Sequence, residues 1–243
     1  MKKIIIALLP LLLVFAFLSF IQKKNPKVLI FSKTAGYHHN SIPNGIEAIK
    51  KIGLQNNFTV DTTTDSTLFT QKNLKQYAAV IFLNTTGNVL DTLQEGAFKN
   101  YIQKGGGFVG VHAATDTEYG WPWYGKMVGA YFESHPKQQR AKLNIMDATH
   151  PATKDLPKEW MHFDEWYNFK NLNEDVHVLI KIDESSYTGG KNGDNHPMAW
   201  WHAYEGGRIF YTALGHTEAC YTDDLFLKHL TGGILYAIGK KKK

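Results

Sequence analysis

The stretch Tyr101–Asp116, YIQKGGGFVGVHAATD, decides the fold. The glycine run Gly105–Gly107 stops the segment before it. A short apolar run, Phe108–Val111, comes next, followed by His112, the small residues Ala113, Ala114 and Thr115, and Asp116. An apolar run of this kind, with glycine where a second backbone comes close, reads as a strand buried on both faces of a parallel sheet. Small residues directly after it allow a tight strand-to-helix turn. A side chain at such a turn stands above the carboxyl edge of the sheet, where open α/β folds bind ligands. The side chain placed there is His112.

Working outward, the same alternation repeats. Val28–Ser32 (VLIFS) and Ala78–Leu83 (AAVIFL) are buried-strand patterns, and Phe58–Asp61 is a weaker one. Ser41–Gly53 reads as a helix carrying Ile42, Ile46, Ile49 and Ile52, with Pro43 in its first turn. Thr70–Leu74 reads as a short helix, and Gln94–Lys104 as an amphipathic one that the glycine run stops. The expected fold is therefore α/β, with a doubly wound, mostly parallel, flavodoxin-like sheet. From Trp121 to Pro157 the pattern weakens, with a single strand at Lys142–Met146. Trp160–Phe169 (WMHFDEWYNF) is an aromatic-rich insertion. Strands at Val176–Ile182 and Met198–Ala203, a hairpin turn at Glu205–Gly207 into Arg208–Leu214, and a helix at Phe226–Ile238 complete the chain.

Composition narrows the function. The net charge is +5, but Lys2, Lys3, Lys23 and Lys24 flank an N-terminal apolar run and Lys240–Lys243 form a tail. Setting those eight lysines aside leaves 19 basic against 22 acidic residues, a body charge of about −3. A basic groove for nucleic acid is not indicated. Residues 1–25 read as a signal peptide or membrane anchor, with lysines ahead of the apolar run Ile4–Phe20. Val14 and Ala16 are the best, mediocre, cleavage positions, and no cysteine lies nearby for a lipid. Either outcome leaves the body exported, free in the periplasm or anchored through residues 4–21 to the inner membrane and facing the periplasm. Residues 26–239 form the expected domain, and 240–243 a solvated tail. With one cysteine, Cys220, there is no intramolecular disulfide and no thiolate cluster; that residue lacks an obvious partner and reads as a small buried filler.

Three loops fall just after predicted strands: His38–Ser41, His112–Asp116 and Gly215–Thr217. A parallel sheet would gather all three at one edge, bringing together His39 (or His38), His112 and His216. Imidazole moves protons near neutral pH and ligates metals when neutral. Trp160–Phe169 adds Asp164, Glu165 and Tyr167; in an extended segment the two adjacent carboxylates point to opposite sides, so only one need face a pocket. Its aromatics, with Trp121 and Trp123, are candidate stacking faces for sugar rings. Nucleotide, lipase-like and zincin motifs (GxGxxG, Walker A, GxSxG, HExxH) are absent, and Ser41 has no base at a diagnostic spacing.

The segments KVLIFSKTAGYHHNSI, AAVIFLNTTG, GGGFVGVHAATDT, GAYFESHP, DEWYNF and GRIFYTALGHTEACY together resemble the ThuA-like (trehalose utilisation) family across about residues 27–239. The resemblance implies the fold of class I glutamine amidotransferases. In that fold a nucleophilic cysteine follows the strand read here as Phe108–Val111. This chain has His112 instead, so thioester chemistry is not expected. His216 falls near the amidotransferase histidine, and His38 stands where the family pattern leads one to expect arginine.

The resemblance further implies carbohydrate catabolism, of oxidised (3-keto) glucosides or disaccharides, with a small-molecule carbohydrate as partner. The mechanism expected is acid–base catalysis by His112 and His216, with Glu165 or Asp116 as the supporting carboxylate that orients a histidine or binds hydroxyls. His39, Ser41, Asp116, His135, Asp164, Tyr167 and Trp121 are the expected substrate contacts. No cofactor is required; the alternative is a divalent metal on His39, His112 and His216, with Glu165 as a further ligand. The competing reading is a non-catalytic carbohydrate-binding or scaffold domain.

Overall fold

The computed structural model describes residues 25–239. The apolar run Ile4–Phe20 and the lysine tail lie outside the described residues. Among the described residues no helix is long and apolar enough to cross a membrane.

The first half alternates as expected: β1 (Lys27–Phe31), α1 (Ile42–Gln55), β2 (Thr59–Thr63), α2 (Gln71–Leu74), β3 (Ala79–Leu83), α3 (Thr92–Gln103) and β4 (Gly107–Val111). The weakly patterned stretch holds α4 (Pro122–Val128), β5 (Tyr131–Ser134) and β6 (Gln139–Ile145). Then come β7 (Glu159–Asp164), β8 (Asn168–Lys170), β9 (His177–Ile182), β10 (Pro197–Tyr204), β11 (Gly207–Thr212) and α5 (Asp224–Ile238). Both α4 and β5 escaped the sequence pattern because they are short: PWYGKMV and YFES give too few periods to register.

One nine-stranded sheet runs in the order β2-β1-β3-β4-β11-β10-β9-β6-β7. Its first five strands are parallel, in the flavodoxin-like order with β11 as the fifth. β3 and β4 are buried at every position, as strands covered on both faces must be. Phe82 stacks on Phe98 of α3, while the neighbouring Leu83 meets Gly45 of α1, so helices cover opposite faces. The remaining four strands are antiparallel. β7 at the far edge alternates exposed and buried, which marks a one-sided sheet. β5 and β8 pair separately.

Local chemistry fixes the ends of these elements. α3 opens with a capping box: Asp91 accepts the Gln94 N–H while the Gln94 side chain accepts the Asp91 N–H. β10 turns into β11 through Glu205 and Gly206, both at positive φ, the two-residue turn that suits the strand twist. At Gly107 a Cβ would collide with the carbonyl of Ala237 at the end of α5, which is why the organising strand needs glycine there.

Candidate active site

Parallel strands deliver the three histidines as expected. His39 follows β1, His112 follows β4 and His216 follows β11. His38 stays exposed beside Thr34, 3.2 Å from its hydroxyl, so His39 is the member of the pair that enters the site.

His112 opens a 3-10 turn, His112–Thr115, at φ 47°, a left-handed backbone that costs a non-glycine residue on the order of 1 kcal/mol. Two contacts hold it. Its Nδ1–H donates to the Ala213 carbonyl at 2.7 Å, and its own carbonyl accepts from the Tyr211 hydroxyl at 2.8 Å. Because a carbonyl only accepts, the Ala213 bond fixes a proton on Nδ1; Nε2 then carries a lone pair in the neutral ring and donates toward Glu165 in the charged one. That Nε2 lies 3.1 Å from His216 Nδ1.

Glu165, just past the end of β7, completes the group. Its Oε2 is 3.1 Å from His216 Nδ1 and 3.5 Å from His112 Nε2; its Oε1 is 3.1 Å from His135 Nδ1. The His39 ring sits 5.0 Å from both the His112 and His216 rings, edge-on to each. Burial pushes the Glu165 carboxyl up, but the hydrogen bonds and charges of His112 and His216 more than offset this and hold it well below the usual carboxylate range. Burial first, then the neighbouring His112 and His216, push the His39 imidazole down to about 2, so it is neutral. His216 and His135 reach solvent, the second more fully.

Glu165 arrives from an unexpected distance. Four strand spacings separate β11 from β7, about 19 Å in a flat sheet. Yet Asp164, the last residue of β7, accepts the Gly215 N–H at 2.8 Å. The three residues from Thr212 to Gly215 span at most ~10 Å, so the antiparallel half must curl back over the carboxyl edge of the parallel half.

That contact also reassigns two expected substrate contacts. Asp164 is fully buried and accepts from Gly215, Thr217 and Glu165 N–H groups as well as the Cys220 thiol. Ser41 is buried and donates to the Gly215 carbonyl, which also accepts from Asn84 and Tyr221. Both residues clamp the loop that carries His216 and have no face left for a ligand. Asp164→Asn is expected to lower turnover at least ~10-fold while leaving substrate KM within about twofold, because it loosens His216 without removing a contact to substrate. Steady-state kinetics on the folded variant measures both.

The aromatic platform is corrected likewise. Trp160, Trp166, Tyr167 and Phe169 are all buried. Tyr167 packs its ring 4.1 Å from that of His112 and supports the histidine rather than offering a face to sugar. Trp121 stacks on Trp123, whose indole N–H donates to Glu205 in the β10–β11 turn, at the opposite edge of the sheet. His135 and Asp116 remain near the rim. Asp116 is half-buried, accepts from Tyr119 at 2.7 Å, and is pushed up by that burial.

Sequence reading passed over Asn84, which follows β3 at the same edge, holds φ 51° and donates to Ser41 and the Gly215 carbonyl. It lies in NTTG, directly after a recognised strand, and strand-end logic would have found it. Tyr37, exposed at the rim with its ring 4.8 Å from that of His39, was legible in the same way.

Cys220 is buried as expected but does have partners: the Thr217 hydroxyl at 3.1 Å, Asp164 at 3.2 Å and His162 at 3.5 Å. Burial and then the Asp164 charge push its thiol well up, so it is neither thiolate nor nucleophile.

The sequence profile described as trehalose utilisation, ThuA, matches residues 27–237. Among solved structures, a ThuA-like protein from Bacteroides uniformis ATCC 8492 is similar at 27% identity and TM-score 0.77, over 90% of this chain and 94% of that one. A ThuA-like protein from Parabacteroides merdae ATCC 43184 is similar at 24% identity and TM-score 0.74, over 90% and 92%. A cytoplasmic protein from Salmonella typhimurium shares the fold at 10% identity and TM-score 0.61, over 87% and 99%. A search of curated proteins finds no match. With this fold and this sequence match, the chain belongs to the ThuA (trehalose utilisation) family, a family of carbohydrate metabolism built on a class I glutamine amidotransferase-like fold.

Proposed function

We propose that this protein is an exported sugar-processing enzyme that acts on oxidised (3-keto) glucosides or disaccharides by moving protons next to the keto group. One observation carries the proposal: His112, His216 and Glu165, brought from three separate strand ends, have polar atoms 3.1–3.5 Å from one another at a solvent-reachable edge. A ketone acidifies the C–H beside it. In a 3-keto glucoside the carbon bearing the glycosidic oxygen is one bond further on, so removing that proton lets the C–O bond break as the double bond forms. A second proton must reach the departing oxygen. A base and an acid facing the same few atoms meet that need. The lysines and apolar run ahead of residue 25 support export.

The test is to offer the purified full chain a panel of 3-keto glycosides beside the same glycosides unoxidised. Turnover of the keto compounds alone is expected. Binding of sugar without turnover of any of them overturns the enzyme and points to a carbohydrate-binding domain.

A further inference from the structure

We propose that His39, His112, Glu165 and His216 form a binding site for one divalent first-row transition-metal ion. Each of the four offers one donor atom, and all four atoms lie within 4.8 Å of one another. A single ion bonded at ~2.0–2.1 Å to nitrogen and oxygen would set its donors about 2.8–3.4 Å apart, from octahedral to tetrahedral edges. The three separations among His112 Nε2, His216 Nδ1 and Glu165 Oε2 are 3.1, 3.1 and 3.5 Å.

The hydrogen-bond inventory agrees. The Ala213 carbonyl takes the Nδ1 proton of His112 and so aims the Nε2 lone pair into the cluster. This is the outer contact that orients a metal-bound imidazole. Glu165 points its second oxygen at His135 in the same manner. His39 Nδ1 is buried with no hydrogen-bond partner. A cation would satisfy the ring-nitrogen and carboxylate lone pairs that face this shared space together. Three imidazoles and one carboxylate suit zinc, iron, nickel or their neighbours, not magnesium or calcium, which want oxygen donors. The second buried cluster, His162, Asp164 and Cys220, is a poorer candidate because its carboxylate is committed to the backbone N–H groups of Gly215, Thr217 and Glu165.

The site's purpose, though not its geometry, rests on the reading above. A bound cation would polarise the sugar carbonyl, and His135, next to Glu165, would be the side chain free to carry protons.

The experiment strips the full chain with a chelator and titrates it with Co2+. One equivalent is expected to bind, with visible d–d absorption that Zn2+ bleaches. His39→Ala and Glu165→Gln should each weaken binding by more than the ~10–100-fold that loss of an outer contact costs. His38→Ala should leave it unchanged. Circular dichroism shows that each variant is folded, and Glu165→Gln, nearly isosteric, guards against collapse in His39→Ala. Failure to bind Co2+, or binding indifferent to both substitutions, overturns the proposal. Metal binding without turnover of keto-glycosides leaves the site standing and overturns the function. Turnover by a metal-free chain leaves the function standing and overturns the cation's part in it.

Discussion

His112→Asn is expected to lower turnover of a 3-keto glycoside by about 10³-fold while the protein stays folded. Asparagine is chosen over alanine because position 112 sits at φ 47°. A short polar side chain tolerates the left-handed region, where alanine adds backbone strain to the lost chemistry. An amide neither carries a proton nor offers an imidazole lone pair, so the variant separates the shape of the turn from the work of the ring. The loss holds whether His112 Nε2 takes a proton itself or holds a cation, since both need that lone pair facing His216 and Glu165. It should fall mainly on kcat. A variant that retains turnover within about threefold of the parent would remove His112 from the chemistry. The left-handed turn would then be a relic of the fold, and the site would have to be sought at the His135 and Asp116 rim.

The largest effect on stability is expected at Gly107. Alanine there would place its Cβ on the Ala237 carbonyl oxygen and within 2.9 Å of the Ala78 carbonyl. Neither obstacle is a side chain that can rotate away. One is the last turn of α5, and the other leads into β3, with which β4 is paired. Inserting a methyl group into a well-packed core costs about 1–3 kcal/mol, and a backbone obstacle on both sides puts Gly107→Ala at or above the top of that range. For a chain of this length ~3 kcal/mol corresponds to a fall in Tm of about 6–12 °C. Gly96→Ala is the matched control. It lies in the exposed face of α3 with nothing within 4 Å of the new methyl, and should stabilise by about 0.5–1 kcal/mol through helix propensity. Thermal melts of the two variants should move in opposite directions; equal shifts would refute the packing argument.

Where sequence reading succeeded, it used rules that are local in the chain. Apolar runs of strand length, glycine stops and the β-α alternation are short-range signals. They placed β1, β3, β4 and the helices between them to within two residues. The histidines at strand ends followed from the same signals, because parallel strands share one carboxyl edge whatever their order. Reading failed where the decision was long-range. Trp160–Phe169 looks alike as a sugar platform or as packing, since composition reports apolar area and not the side on which that area is covered. Asp164 and Glu165 are the same chemistry one residue apart. Which of them clamps a loop and which faces the histidines depends on what lies on each side of β7.

The amino-acid order by itself determined the α/β class, the parallel half of the sheet and the gathering of His39, His112 and His216, because each follows from periodicity and chain direction. Only the tertiary structure decided that Glu165 joins them, that Asp164 and Ser41 hold the loop instead, and that Tyr167 lies beneath the histidine. Those outcomes come from the curl that returns β7 across ~19 Å to the far side of the site. That curl is the summed twist of four antiparallel strands, and no single segment of sequence encodes it.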